Sequence, residues 1–256
     1  MTCTDGEPLL SPLSEARQSV IQMPDLNRPS LDSAFHSIQR RMVQLLEYAT
    51  VAAPLVAQDP KLLPELADSV VVLVVARMDG FFQDMVSLGT RHRERAVRKH
   101  FQKHGIDRAR SCELPTLIKL VRSRVSFEGG GKRLDNLFRL IFRCSVWPSD
   151  DVRDAVLDLA LLRNFIVHNS GQDWSQDGVM PPAYAAQFRS ADVLSTRRYG
   201  DLAVYSVDHY KALLFVRKAT LCVVDQLKYL EEHIVRDTSW AESQDEGTVD
   251  DSTSAL

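Results

Sequence analysis

The chain has 256 residues, 45% of them hydrophobic and 25% charged, with a formal net charge of −3. This composition is typical of a globular protein with a sizeable core. It contains no apolar run that approaches the roughly 20 residues of a membrane span, since the longest covers only residues 70–76. Its N-terminus lacks the basic start and apolar stretch of a secretory signal. We therefore expect a soluble, cytoplasmic protein with no membrane partner.

Both ends of the chain differ in composition from its middle. Residues 1–30 contain four prolines and several serines and threonines, which predicts a disordered or loosely attached segment. Residues 237–256 are acidic and nearly devoid of large apolar side chains, which predicts a disordered acidic tail. A single helical domain is predicted between them, over residues 31–236.

The periodicity of this middle part is helical almost throughout. Apolar residues recur at intervals of three and four, and glycine, proline or polar clusters separate the periodic stretches. The helices are predicted over residues 31–57, 61–88, 91–104, 114–125, 134–142, 150–168 and 208–235. A polar loop is predicted over 170–182, and alternation over 199–207 allows a short strand or hairpin. The fold class is therefore all-α, a helical bundle with irregular loops.

Positive charge is concentrated in one part of the chain. Residues 91–143 hold 15 Lys and Arg against 5 Asp and Glu, while the remainder of the protein is acidic. A basic segment of this kind can track a phosphate backbone. The alternative is a solvated helix face, or one paired with acidic residues elsewhere. The candidate RNA contacts are Arg91, Arg95, Arg98, Lys99 and Lys103.

The helix predicted over 150–168 carries the most distinctive polar residues. Arg163 falls near the middle of an apolar arc, where an unpaired guanidinium would be costly to bury. His168 lies in the last turn, where the helix dipole favours a positive charge and an imidazole suits acid–base chemistry. Asn164 shares the face of His168. The same face carries apolar residues that could contact a second subunit, namely Leu157, Leu161 and Phe165.

A purely structural interpretation of these residues is also open. Arg163 could form a core salt bridge with Asp79 or Asp84, and His168 with Asn169 could simply end a helix. Neither the spacing nor the helical geometry decides between this interpretation and a catalytic one.

The stretch over residues 161–171, LLRNFIVHNSG, resembles the signature of the HEPN superfamily: Arg, a polar residue, three mostly apolar residues, then His. More narrowly it is similar to the RiboL-PSP-HEPN group. Residues 70–85 and 126–139 resemble an early core helix and a mid-domain loop and helix of that group, so the likeness covers about residues 35–235.

The resemblance implies a metal-independent, cofactor-free RNA endonuclease that acts as a homodimer. The catalytic residues would be Arg163 and His168, with Asn164 in support. Attack by a 2′-hydroxyl needs a base, an acid and positive charge at the phosphorane, and a dimer supplies two copies of each side chain. The resemblance further implies bacterial stress or phage defence, with an antitoxin or other defence protein as a possible partner. The alternative is a non-catalytic HEPN module that binds RNA or a partner protein.

Two further patterns are weak. Residues 129–132, GGGK, lack the spacing of a phosphate-binding loop, and Arg133 stands where that motif has Ser or Thr. We therefore expect a plain loop there. His92, His100 and His104 include one pair at helical spacing but no third ligand is evident, so no metal site is expected.

Overall fold

A computed structural model describes residues 31–169, 172–175, 187–189, 192–200 and 202–236. Within these ranges the chain is mostly helical with one small antiparallel sheet, which confirms the predicted all-α class with a short hairpin. The two terminal segments predicted to be disordered, 1–30 and 237–256, lie outside the described residues. No helix in the described part of the chain is long and apolar enough to cross a membrane.

The described helices and strands follow in chain order. They are α1 (Leu31–Gln58), α2 (Leu63–His92), α3 (Glu94–Lys103), α4 (Leu114–Arg122), α5 (Lys132–Phe142), α6 (Asp150–Asn169), β1 (Gln172–Ser175), β2 (Leu194–Tyr199), β3 (Leu202–Val207) and α7 (His209–Glu231). Single 3-10 turns occur at Pro60–Leu62, Asp107–Ala109 and Glu128–Gly131, and a π-helical turn, Glu232–Arg236, extends α7.

Helix α2 is the centre of the bundle. It packs against α1, α4, α5, α6 and α7, and buries apolar residues along most of its length. Its valines could have formed a strand, but buried positions such as Val70, Val74, Met78 and Met85 recur at helical spacing. The length and period of the pattern therefore predicted the element correctly.

Close contact between α2 and α5 depends on a glycine. A Cβ on Gly89 would collide with Ile141 and would lie 2.6 Å and 2.8 Å from two ring carbons of Phe142. Because real Cβ atoms do not approach other atoms this closely, only glycine allows the two helices to pack here.

Helix α6 begins where the sequence predicted. Asp150 and Asp151 occupy its first turn, where carboxylates meet the positive end of the helix dipole. The hydroxyl of Ser149 accepts a hydrogen bond from the Val152 amide at 3.3 Å. These contacts fix the start of the helix that carries Arg163 and His168.

The sheet has the strand order β1-β3-β2, with both pairings antiparallel. β2 and β3 form a hairpin around Gly200, whose φ of 62° is in the left-handed region that favours glycine. The prediction of a loop over residues 170–182 is wrong for residues 172–175, which form β1. Four largely polar residues carry too little alternation to signal a strand, and β1 exists through its pairing with β3.

Candidate functional site

A cavity of about 670 Å³ lies beside the middle of α6. Arg163 and Asn164 line it from α6, and Asp79 and Gln83 line it from α2. The chain just before α5 and a short stretch that includes Arg189 contribute the rest of its polar surface. Apolar side chains from α2, α6 and the loop before α5 complete the wall, so the cavity combines charge with a surface suited to an aromatic or aliphatic group.

Arg163 faces this cavity and is half-buried. Its Nη1 donates a hydrogen bond to Oδ1 of Asn164 at 2.8 Å. Burial raises the pKa of the Asp79 carboxyl above its ordinary value, and the nearby positive charge of Arg163 only partly opposes this. The sequence grouped Asn164 with His168 on one helix face, but in the structure Asn164 bonds with Arg163 at the wall of an open space.

The salt-bridge alternative for Arg163 does not match the described contacts. Asp84 lies 3.9 Å from Arg122 rather than near Arg163. Among the described residues, no carboxylate oxygen lies within 4 Å of the Arg163 guanidinium, although Asp79 is near enough to act on it electrostatically. A guanidinium in a cavity with this environment can accept an external anion.

His168 lies elsewhere. It is exposed in the last turn of α6, and it is not one of the described residues that line the cavity. Within one protomer, the structure brings Arg163 and Asn164 to the cavity and leaves His168 outside it. This separation agrees with the wide angle between Arg163 and His168 on an ideal helix.

The predicted dimer contacts need correction. Phe165 has no exposed surface and Leu157 is only 8% exposed, so both are covered by their own chain. Leu161 is half-buried and lines the cavity. Two of the three predicted contacts are therefore covered within the protomer, whereas the neighbouring Val167 is 47% exposed.

The basic segment is divided between two helices. α2 runs on to His92, Arg93 adopts non-helical backbone angles, and α3 starts at Glu94. The predicted helix over 91–104 is therefore shorter and begins later. Of its candidate RNA contacts, four are exposed on the surface: Arg91, Arg95, Lys99 and Lys103.

Arg98 does not belong with these four. Its guanidinium binds Glu94 at 2.7 Å and donates to the backbone carbonyl of Ala109 at 2.7 Å. It also approaches the Cys112 sulfur at 3.7 Å. The side chain is only 18% exposed, so it joins α3 to the following turn rather than facing a ligand.

His100, next to this cluster, is held neutral. Burial, followed by the proximity of His104 and Lys103, lowers its pKa from 6.5 to about 4. Its Nε2 is buried and has no hydrogen-bond partner among the described residues, and its ring packs against that of His104 with centroids 4.5 Å apart. Across the described ranges, no group of three His, Cys, Asp or Glu side chains is placed to hold a metal ion.

Arg189 is a cavity residue that the sequence did not single out. Its backbone amide donates to both oxygens of Asp158, at 2.8 Å and 3.1 Å, and its guanidinium donates to Asp154 at 2.8 Å. Asp158 is fully buried. The signal in the sequence was two carboxylates four residues apart on α6, which require donors from another part of the chain.

The glycine-rich stretch before α5 shapes another wall of the cavity. Gly129, Gly130 and Gly131 all have φ between 63° and 73°, in the left-handed region. A Cβ on Gly131 would lie 2.6 Å from the Trp147 ring, and one on Gly130 would lie 3.1 Å from an Arg189 nitrogen. The stretch is a tight turn that lets other groups approach closely, as its three consecutive glycines allow.

Comparison with protein-family models, with curated proteins and with solved structures finds no match to this chain. The likeness to the HEPN superfamily therefore rests on the motif residues of the sequence alone.

Proposed function

We propose that the protein is a metal-independent RNA endonuclease of the HEPN type that acts as a homodimer. The observation that supports this proposal most directly is the environment of Arg163. Its guanidinium lines an open cavity and is bonded to Asn164, while no described carboxylate forms an ion pair with it. An arginine held in this way is suited to bind a phosphate through two parallel hydrogen bonds.

Each motif side chain has a defined role in this proposal. Arg163 stabilises the negative charge that grows on the phosphorane, and Asn164 keeps the guanidinium oriented. His168 transfers protons, either from the 2′-hydroxyl or to the leaving 5′-oxygen. Because one protomer supplies a single imidazole, a base and an acid together require the His168 of both protomers.

The exposed end of α6 provides the surface for this arrangement. Val167 and His168 are both exposed there, whereas Phe165 is enclosed. We therefore place the dimer contact around Val167 and His168 rather than at the face that the sequence suggested. A contact there would bring two imidazoles together near the twofold axis.

Cleavage of RNA in EDTA tests the proposal. The His168→Ala variant should lose about 10²–10⁴-fold in rate, because it lacks a proton donor or acceptor. Arg163→Lys should also be strongly impaired, since lysine keeps the charge but not the two-pronged geometry. His104→Ala removes another exposed histidine and is the matched control, which should cleave at the wild-type rate. Loss of all cleavage upon chelation would contradict a metal-independent mechanism.

Co-expression of wild-type and His168→Ala chains tests the need for two protomers. If both imidazoles act in one site, activity should follow the square of the wild-type fraction, so equal amounts give about a quarter of full activity. If each protomer acts alone, equal amounts give about half. Sedimentation measurements on the same samples establish whether dimers are present.

A non-catalytic module that binds RNA is the second candidate. The position of His168 outside the cavity favours it, because an RNA phosphate could bind to Arg163 without any proton transfer. This candidate predicts no cleavage by the wild-type chain, with RNA binding that Arg163→Ala weakens and His168→Ala leaves unchanged.

A further inference from the structure

The backbone of Arg189 is fixed at the cavity by hydrogen bonds with a buried carboxylate, that of Asp158. Asp158 is completely buried, and a buried carboxylate is tolerated only when hydrogen bonds compensate for the loss of water. Both of its oxygens accept a hydrogen bond from the backbone amide of Arg189. This contact determines where the residue enters the cavity wall.

The Arg189 guanidinium is held at the cavity by an ion pair with Asp154 at 2.8 Å. Its partner Asp154 also bonds with Arg153 at 3.0 Å, so that one carboxylate is shared between two guanidinium groups. Burial alone would raise the pKa of Asp154, but the hydrogen bonds from Arg189 and Arg153 outweigh it and lower that pKa. Arg153 has a second carboxylate partner, Asp150 at 2.6 Å, so Asp154 is left chiefly to Arg189. A guanidinium has five N–H donors, and the described bond with Asp154 uses only Nη1, so other donors of Arg189 can bond with a ligand.

Gly130 allows the guanidinium to reach the cavity. A Cβ at this position would lie 3.1 Å from the Arg189 Nη2, and the φ of 73° also disfavours any other residue. The tight glycine turn and the two carboxylates of α6 therefore hold Arg189 from opposite sides. Because Arg163 lines the same space, two guanidinium groups border one cavity.

The remaining wall suits a planar base. Phe127 and Leu161 offer apolar surface, and the amide side chains of Gln83 and Gln187 offer donors and acceptors. A volume of about 670 Å³ falls within the usual range of small-molecule sites. Among the described residues of the wall, the acidic side chain is Asp79, and burial raises the pKa of its carboxyl.

We infer that this cavity binds one nucleotide of the RNA substrate, with Arg163 and Arg189 on its phosphate and its base against Phe127 and Leu161. The inference rests on the proposed function for the identity of the polymer. Arg189 is then a substrate-binding residue outside the Arg–His motif. Asp154 and Asp158 are positioning residues that act through Arg189.

The decisive comparison uses Arg189→Gln and Arg153→Gln in the full chain. Both arginines bond with Asp154, but only Arg189 lines the cavity. We measure binding of a fluorescent RNA oligonucleotide in the His168→Ala background, so that cleavage does not interfere. Arg189→Gln should weaken binding by about tenfold or more, as expected for the loss of a charge-assisted pair of hydrogen bonds. Arg153→Gln should bind within about twofold of the parent.

Two further measurements separate this inference from the proposed function. In the cleaving enzyme, Arg189→Gln should raise KM, since it removes a contact with the bound nucleotide, whereas His168→Ala should lower kcat because it removes a proton-transfer group. Asp79→Asn should strengthen RNA binding, because it removes a carboxylate from the described part of the cavity wall. If the wild-type chain does not cleave RNA, the binding measurements in the His168→Ala background still test whether Arg189 contacts RNA.

Several outcomes would overturn the inference. Equal binding by Arg189→Gln and the parent, or equal weakening by both arginine variants, would show that the cavity contact is not used. Binding of free 5′-AMP without binding of RNA would assign the cavity to a small ligand instead. Arg189→Lys, which keeps the charge and the backbone contact with Asp158, guards against a folding defect and should show an intermediate affinity.

Discussion

The central helix α2 passes through two regions of opposite character. In its middle, Val75, Asp79 and Gln83 face an open cavity. Near its C-terminal end, Gly89 is packed so tightly against α5 that no Cβ fits. Both regions carry arginines, but those arginines serve different purposes. Arg163 borders open space, whereas Arg98, just past the packed end, is bonded to three parts of its own chain.

The difference shows that positive charge in a sequence does not measure positive charge available to a ligand. The basic segment is the richest in Lys and Arg, yet the guanidinium of Arg98 in this segment is already bonded to groups of its own chain. The described part of the cavity wall has two guanidinium groups: Arg189 forms an ion pair with Asp154, whereas Arg163 has no described carboxylate within 4 Å. Availability depends on hydrogen-bond partners, which the composition of a segment does not reveal.

The largest expected effect on stability comes from Gly89→Ala. The added methyl group collides with Ile141 and Phe142, and overpacking of this kind costs about 1–3 kcal/mol. The matched control is Gly80→Ala in the same helix, beside the cavity, where nothing lies within 4 Å of the new Cβ. It should stabilise the protein by about 0.5–1 kcal/mol through better helix propensity. Urea unfolding measures the change in the free energy of unfolding for both variants. Equal changes would show that the two regions of α2 do not differ in packing.

The next prediction compares how much Arg98 and Arg163 contribute to the free energy of unfolding. Arg98→Ala should cost about 1–3 kcal/mol, because it removes charge-assisted hydrogen bonds and leaves the carbonyl of buried Ala109 without this donor. Arg163→Ala should change the free energy of unfolding by less than about 0.5 kcal/mol, since its one described hydrogen bond joins adjacent residues. A large loss for Arg163→Ala would revive a structural role for that side chain.

The sequence predicted what periodicity and local chemistry control. The helix that carries Arg163, Asn164 and His168 was predicted nearly to its ends, and the valine-rich part of α2 was correctly assigned as helical. Which side chains meet across the fold was not predictable. Arg189 reaches the cavity through contacts 31 and 35 residues away along the chain, and no local pattern encodes them. The enclosure of Phe165 likewise depends on tertiary packing, which helical geometry alone does not supply.

A smaller effect is expected from the exposed basic face of α3. Arg95, Lys99 and Lys103 recur every four residues and form a stripe along it. Replacing all three with Gln should weaken RNA binding several-fold and reduce the slope of log K against log salt by up to about 3. Stability should change by less than about 0.5 kcal/mol. If binding and its salt dependence are unchanged, the stripe is only a solvated face and RNA contact is confined to the cavity.

The effect that is smallest at neutral pH, and that grows only as pH falls, is a pH dependence at His100, at the packed end of the molecule. Its native pKa of about 4 lies below the ordinary value of 6.5, so the unfolded chain binds the proton first as pH falls. The stability associated with the neutral ring is fully present above pH 6.5 and is lost between pH 6.5 and about 4. His100→Phe cannot take up the proton and should show a shallower fall in Tm over this range.

His104→Gln is the control for this titration. It removes the neighbouring imidazole but keeps His100 buried, and burial is the largest cause of the lowered pKa. The acid-induced fall in Tm should therefore persist in His104→Gln and diminish in His100→Phe. The opposite ranking would mean that repulsion between the two rings, rather than close packing around His100, keeps that imidazole neutral. The surroundings of His100 would then be more accessible to water than the burial of its Nε2 indicates.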